Sequence, residues 1–281
     1  MQYFRLLLVL LCMLQLTACG PAAAIGMAAS TVARTVENSF ENDDSGSTAV
    51  THTTQEYDRQ AIAEANLNLG VAYMQQGQYQ LALDKLNRAR IAQPDYSPTY
   101  NTLGVLYQHL GENAEAEKNY QHAIKLNPTD SAALNNYGQF LCQNGRFDEA
   151  EKIFLESASN PLYPTPEIAI TNAGTCALSN GQPDLAEEYF KQALDRNPKV
   201  APALFQMAEL SYDQGEYLSA RGFLQRYLVD NQHTSRSLWL GIRIERELGD
   251  KNAVSSYELL LRNRFSDSEE AELLKQSDAR H

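Results

Sequence analysis

The chain has 281 residues, 43% of them apolar and 21% charged, with a formal net charge of −12. That is enough chain for a sizeable core, and the acidic balance without a basic stripe excludes a nucleic-acid partner. The five histidines and four cysteines are too scattered to give a metal-ligand spacing.

Residues 1–18 carry a single charge, Arg5, followed by the apolar run Leu6–Leu14. The run is too short to be a permanent membrane span and reads as a signal peptide. It ends in Leu16-Thr17-Ala18-Cys19, which resembles a bacterial lipobox. Small residues ahead of Cys19 suit the signal peptidase, and its thiol accepts the lipid. The expectation is a lipid anchor at Cys19, in the outer membrane and facing the periplasm.

Residues 19–56 read as a lipidated flexible tether. They include a run of alanines and a polar stretch with Asp43, Asp44, Ser45, Gly46 and Ser47, a composition that buries too little apolar surface to order itself. As a random coil, such a segment has a reach of roughly 30–36 Å.

From residue 57 the chain becomes periodic. Glycine recurs at Gly77, Gly111, Gly145, Gly181, Gly215 and Gly249, at intervals of 34, 34, 36, 34 and 34. Repeats set from these glycines run 63–96, 97–130, 131–164, 167–200, 201–234 and 235–268. Position eight is Gly70, Gly104, Gly138, Gly174, Ala208 and a discordant Ile242. Position twenty is Ala82, Ala116, Ala150, Ala186, Ala220 and then Val254, and position twenty-four is large: Leu86, Tyr120, Phe154, Phe190, Leu224. Each unit predicts two helices around the glycine, ended in three repeats by Pro94, Pro128 and Pro198. A unit of this kind cannot bury its apolar faces alone and has to stack.

This pattern resembles the tetratricopeptide repeat. The resemblance implies an all-α superhelix of about six helix–turn–helix units, with a degenerate sixth repeat and a C-terminal tail within 57–281. It also implies a concave groove lined by first-helix positions. At the start of that groove stand Leu67, Val71 and Met74, spaced by four and three residues on one first helix, with Val105 on the next. Asn101 and Asn135 adjoin them, and farther on come Phe205, Tyr212, Trp239, Arg236, Arg243 and Arg246. The apolar stripe suits an amphipathic helix and the amides suit a peptide backbone. His109 reads equally as a groove contact or as a solvated helix residue.

Cys142 and Cys176 sit on the first helices of successive repeats, which are neighbours in a stack, and the periplasm is oxidising. They are a candidate disulfide if their Cα atoms come within about 7 Å; the alternative is two core thiols that never meet. No phosphate loop, nucleophile elbow or Cys–His pair is visible, and acidic pairs such as Glu187 and Glu188 read as solvated faces. The reading is a non-enzyme, without cofactor, metal or small-molecule substrate.

A lipobox, a low-complexity tether and about six repeats, with NNYGQFLCQNGRFDEAE, NPLYPTPEIAITNAGTC and SLWLGIRIERELGDKNAVSSYELLLRNRFSDS, resemble the type IV pilus biogenesis lipoproteins of Gram-negative bacteria, the PilF/PilW pilotin family. The resemblance implies a partner, the pilus secretin, which a pilotin helps reach the outer membrane and multimerise. Only Cys19 carries over as a family residue, as the anchor. A second reading is a tetratricopeptide lipoprotein that acts as an adaptor for peptidoglycan enzymes or outer-membrane protein assembly.

Overall fold

The computed structural model describes residues 47–278, with side chains from Asp58 to Ser277. The signal peptide, Cys19 and residues 19–46 of the expected tether lie outside the described residues. Among the described residues there are thirteen helices and no strand. The repeat array falls within one compact unit, Tyr57–His281.

The first helix, α1, spans Ser47–Gln75. It therefore takes in residues 47–56, which composition assigns to the tether. The reason lies in what that stretch lacks: between Gly46 and Gly70 there is neither glycine nor proline. A helix already formed adds one hydrogen bond for each further residue, so polarity alone does not stop it.

Six pairs then follow in order. The first pair is α1 with α2 (Tyr79–Ala92), the next α3 (Ser97–His109) with α4 (Asn113–Leu126), and the third α5 (Ser131–Gln143) with α6 (Phe147–Ser159). Beyond them come α7 (Pro166–Ser179) with α8 (Pro183–Arg196), α9 (Ala201–Asp213) with α10 (Tyr217–Asp230), and α11 (Ser235–Leu248) with α12 (Lys251–Arg264). From α3 to α11, each first helix packs beside the next and against the second helix before it. All six turn glycines adopt a positive φ, from 70° at Gly77 to 79° at Gly215, which other L-residues rarely take. Between repeats, Asn127, Asn160 and Asn197 each turn the chain by accepting the backbone N–H two residues on, at 2.9–3.2 Å. The two extra residues in the 36-residue interval are absorbed in the loop before α7.

Within a pair, contact is set by the position-eight glycine. A Cβ at Gly104 would stand 2.6 Å from the Tyr120 ring, and at Gly138 or Gly174 it would stand 2.7 Å from Phe154 or Phe190. The large side chain sixteen residues on fills the place a Cβ would need. Tyr120, Phe154 and Phe190 are accordingly no more than 1% exposed.

The sixth repeat obeys the same rule in a different register. Here it is Gly241, not Ile242, that faces the large residue: its Cβ would stand 2.9 Å from the Tyr257 ring. Ala253 then takes the alanine place, twelve residues on, as Ala116 does for Gly104. The expected degeneracy comes from counting back from Gly249, because this turn glycine lies one residue later than in the other repeats. The C-terminal tail takes a defined form. Glu269–Asp278 forms a helix, α13, whose Ala271 and Leu274 bury against Leu238, Ile242 and Leu261 and cover the end of the stack.

Candidate functional site

The first helices of repeats one, two and three border an open cleft of about 310 Å³, lined by Val71, Met74, Gln75, Asn101, Thr102, Val105, His109 and Asn136. Four residues expected in the groove meet there: Val71, Met74, Asn101 and Val105. They do not contribute equally. Val71 is 37% exposed, whereas Met74 is half-buried and packs on the core of Ala82, Leu86, Leu103 and Leu106.

Two other expected groove residues lie elsewhere. Leu67 packs on that same core and does not line the cleft, lying about two turns nearer the start of α1 than Met74. Asn135 is buried at 7% exposure, and its Oδ1 accepts from Asn172 Nδ2 at 2.9 Å. The adjacent Asn136 takes the place in the cleft and donates from Nδ2 to Asn101 Oδ1 at 3.0 Å. Of two consecutive asparagines, 100° apart around a helix, nothing in the sequence marks which one faces inward.

The amides therefore bridge the first helices before they bridge any partner. Asn101 uses its oxygen internally and keeps an NH2 group as donor. Gln108 extends the pattern: it donates to Gln143 Oε1 at 2.7 Å, and its own Oε1 accepts from Tyr120 Oη at 2.7 Å. His109 closes the far end of the cleft and stacks on Tyr79, with ring centroids 5.9 Å apart and planes at 12°. Among the described residues, no ionisable group other than that imidazole lines this cleft. Its chemistry is an apolar wall facing amides and a hydroxyl, which suits the apolar face of an amphipathic helix.

Cys142 and Cys176 are joined by a disulfide, with Cα atoms 5.8 Å apart. It ties α5 to α7, the first helices of repeats three and four.

At the far end of the array the aromatics are in part structural. Phe205 and Tyr212 pack on the cluster of Ala208, Leu224, Leu240 and Ile244, and Trp239 packs on that of Leu238, Ile242 and Leu261. Arg236 lies over the Phe205 ring at 5.2 Å and bonds Glu209 at 2.9 and 3.1 Å. A second cleft of about 340 Å³, lined by Leu178, Gln206, Glu209, Leu210, Asp213 and Arg243, lies beside them and is, unlike the first, charged.

The tyrosines with altered titration are structural. Burial pushes the Tyr120 and Tyr189 hydroxyls well above the ordinary tyrosine range, and each donates within the protein, to Gln108 and Glu151. Among the described residues no group of three or more His, Cys, Asp or Glu side chains is placed to hold a metal. The arrangement is that of a binding surface.

Comparison with known proteins agrees with this geometry. Tetratricopeptide repeat family profiles match residues 61–128, 119–152 and 177–239. The type IV pilus assembly protein PilF of Pseudomonas aeruginosa is 31% identical over 210 residues, which cover 75% of this chain and 83% of the relative. A solved structure of Pseudomonas aeruginosa PilF is 30% identical, with a TM-score of 0.69, and the match covers 78% of this chain and 99% of that one. The crystal structure of PilW, described as a widely conserved type IV pilus biogenesis factor, gives 30% identity and a TM-score of 0.67 over 76% of this chain and 98% of its own. The pairs of helices, the glycine–aromatic contacts and these matches along most of the array lead to one conclusion: the chain belongs to the PilF/PilW family of type IV pilus biogenesis proteins built from tetratricopeptide repeats.

Proposed function

We propose that this protein is a non-catalytic pilotin. Anchored by lipid on Cys19 in the outer membrane and facing the periplasm, it binds the type IV pilus secretin and promotes the secretin's localisation and multimerisation. Support comes from membership of the family and from one structural observation: the uncharged cleft of repeats one to three, with Val71 and Val105 on its walls. An amphipathic segment of the secretin lays its apolar face against Val71, Met74 and Val105, while Asn101 and Asn136 border it. Burying such a stripe against a helix removes apolar surface from water, at roughly 25 cal/mol for each Å².

The test is to replace Val71 with aspartate in cells that make pili and quantify secretin multimers in the outer membrane. Lost multimers at an unchanged level of the variant support the reading. Normal multimer assembly would overturn it.

A further inference from the structure

Three arginines among the described residues are half-buried: Arg146, Arg221 and Arg243. Two of them close on carboxylates of the chain. Arg146 bonds Glu149 through two nitrogens at 2.7 and 2.8 Å and also pairs with Glu117. Arg221 grips Glu245 through Nε and Nη2. This is the geometry expected of a guanidinium withdrawn from water, whose planar fork matches a carboxylate.

Arg243 breaks the pattern. Its Nε is buried and has no hydrogen-bond partner, and no carboxylate among the described residues forms an ion pair with it. The guanidinium instead lies over the Tyr212 ring, 4.5 Å from the centroid. Stacking of this kind fixes the guanidinium plane and leaves its edge for a ligand. The cleft of about 340 Å³ that Arg243 lines supplies the space, with Leu178 and Leu210 as apolar lining and Gln206 as an amide. Two acids share that lining, and they are not equivalent: Glu209 is already engaged by Arg236, while Asp213 is an exposed acceptor. The orphaned donor is therefore a feature to explain, since buried polar groups nearly always find a partner.

We propose that the cleft between α7, α9 and α11 is a carboxylate-receiving subsite, in which Arg243 pairs with an aspartate or glutamate side chain of a bound protein segment. Asp213 and Gln206 border the occupant and accept its backbone N–H groups. The subsite lies on the same first-helix positions as the uncharged cleft, three repeats farther along. It selects by charge where that cleft selects by apolar burial, and it stands whichever protein fills the first one.

The test uses the full chain and two blocked amino acids as probes, N-acetylglutamate N-methylamide and its glutamine counterpart. NMR follows the Nε–Hε resonance of Arg243, assigned by its loss in Arg243→Lys, together with the Leu178 and Leu210 methyl groups. The expected result is a saturable shift of all three with the glutamate probe. The glutamine probe should bind at least fivefold more weakly, and the methyl shifts should weaken at least fivefold in Arg243→Gln. Arg243→Lys, which keeps the charge and loses the fork, should fall between them. Equal response to both probes, or methyl shifts unaltered in Arg243→Gln at an unchanged melting temperature, would overturn the proposal.

Discussion

Asn136 donates to Asn101 Oδ1 at 3.0 Å, and this bond joins the first helix of repeat three to that of repeat two at the edge of the uncharged cleft. The cleft is thus bordered by an amide bridge that any ligand meets already made.

Val71 and Met74 line the same cleft, but their substitutions should separate. Val71→Asp places a charge on a side chain already 37% exposed, so the melting temperature should move by about 1 °C or less. Met74→Asp pushes a carboxylate towards the core cluster of Leu86 and Leu103, at roughly 2–4 kcal/mol. Thermal denaturation of the two variants decides it, and equal losses would contradict the assignment.

Removing the disulfide should weaken the middle of the array. The bridged residues are 34 apart, and on the chain-entropy account the loss for Cys142→Ala with Cys176→Ala is about 3–4 kcal/mol. Denaturant unfolding of wild type, with and without reductant, should reproduce the difference. Alkylation of both thiols without reductant would show that no bond had formed.

Helix glycines should respond in opposite directions. Gly104→Ala sets a methyl group 2.6 Å from a fully buried Tyr120 ring and should cost about 1–3 kcal/mol. Gly222→Ala, within α10, meets nothing within 4 Å and should stabilise by roughly 0.5–1 kcal/mol. Equilibrium unfolding of the two variants checks the contrast.

Acid should loosen the region of repeat six. Burial, aided by Arg264, lowers the His233 pKa below its ordinary 6.5, and the ring sits edge-on to Tyr257 at 5.6 Å. The unfolded chain then binds more protons than the folded one, so this stability is present above 6.5 and is lost as pH falls below it. Melting temperatures at about pH 7.5 and pH 5 should differ more for wild type than for His233→Phe; parallel losses would refute the assignment.

The anchor has its own test. Cys19→Ala should leave the repeats folded and shift the protein to the soluble periplasmic fraction. Retention in the outer membrane would remove the lipid from the account.

The sequence carries the fold where one side chain answers another at fixed spacing. Gly104 with Tyr120 and Gly138 with Phe154 can be read from spacing alone, because a missing Cβ and a large ring are complementary. Gly241 with Tyr257 is equally plain once the pair, and not the turn glycine, sets the count. The site is less legible. Asn135 and Asn136 are neighbours of identical chemistry, and only packing decides which one is buried. Leu67, Val71 and Met74 share one face of α1, and only their height along the helix decides which of them reach the cleft, which the periodicity does not reveal. The start of α1 at Ser47 is not legible from composition, because a polar stretch without glycine or proline can extend a helix that packing has already formed farther along.

The bond between Cys142 and Cys176 has a further consequence for how the array comes apart. A stack whose units touch only their neighbours frays from its ends, as a zipper opens from either side. A covalent link between repeats three and four sets a stop in the middle. Val71 and Val105 lie on one side of that stop and Arg243 on the other, so either arm can breathe to admit a ligand while the opposite arm keeps its shape.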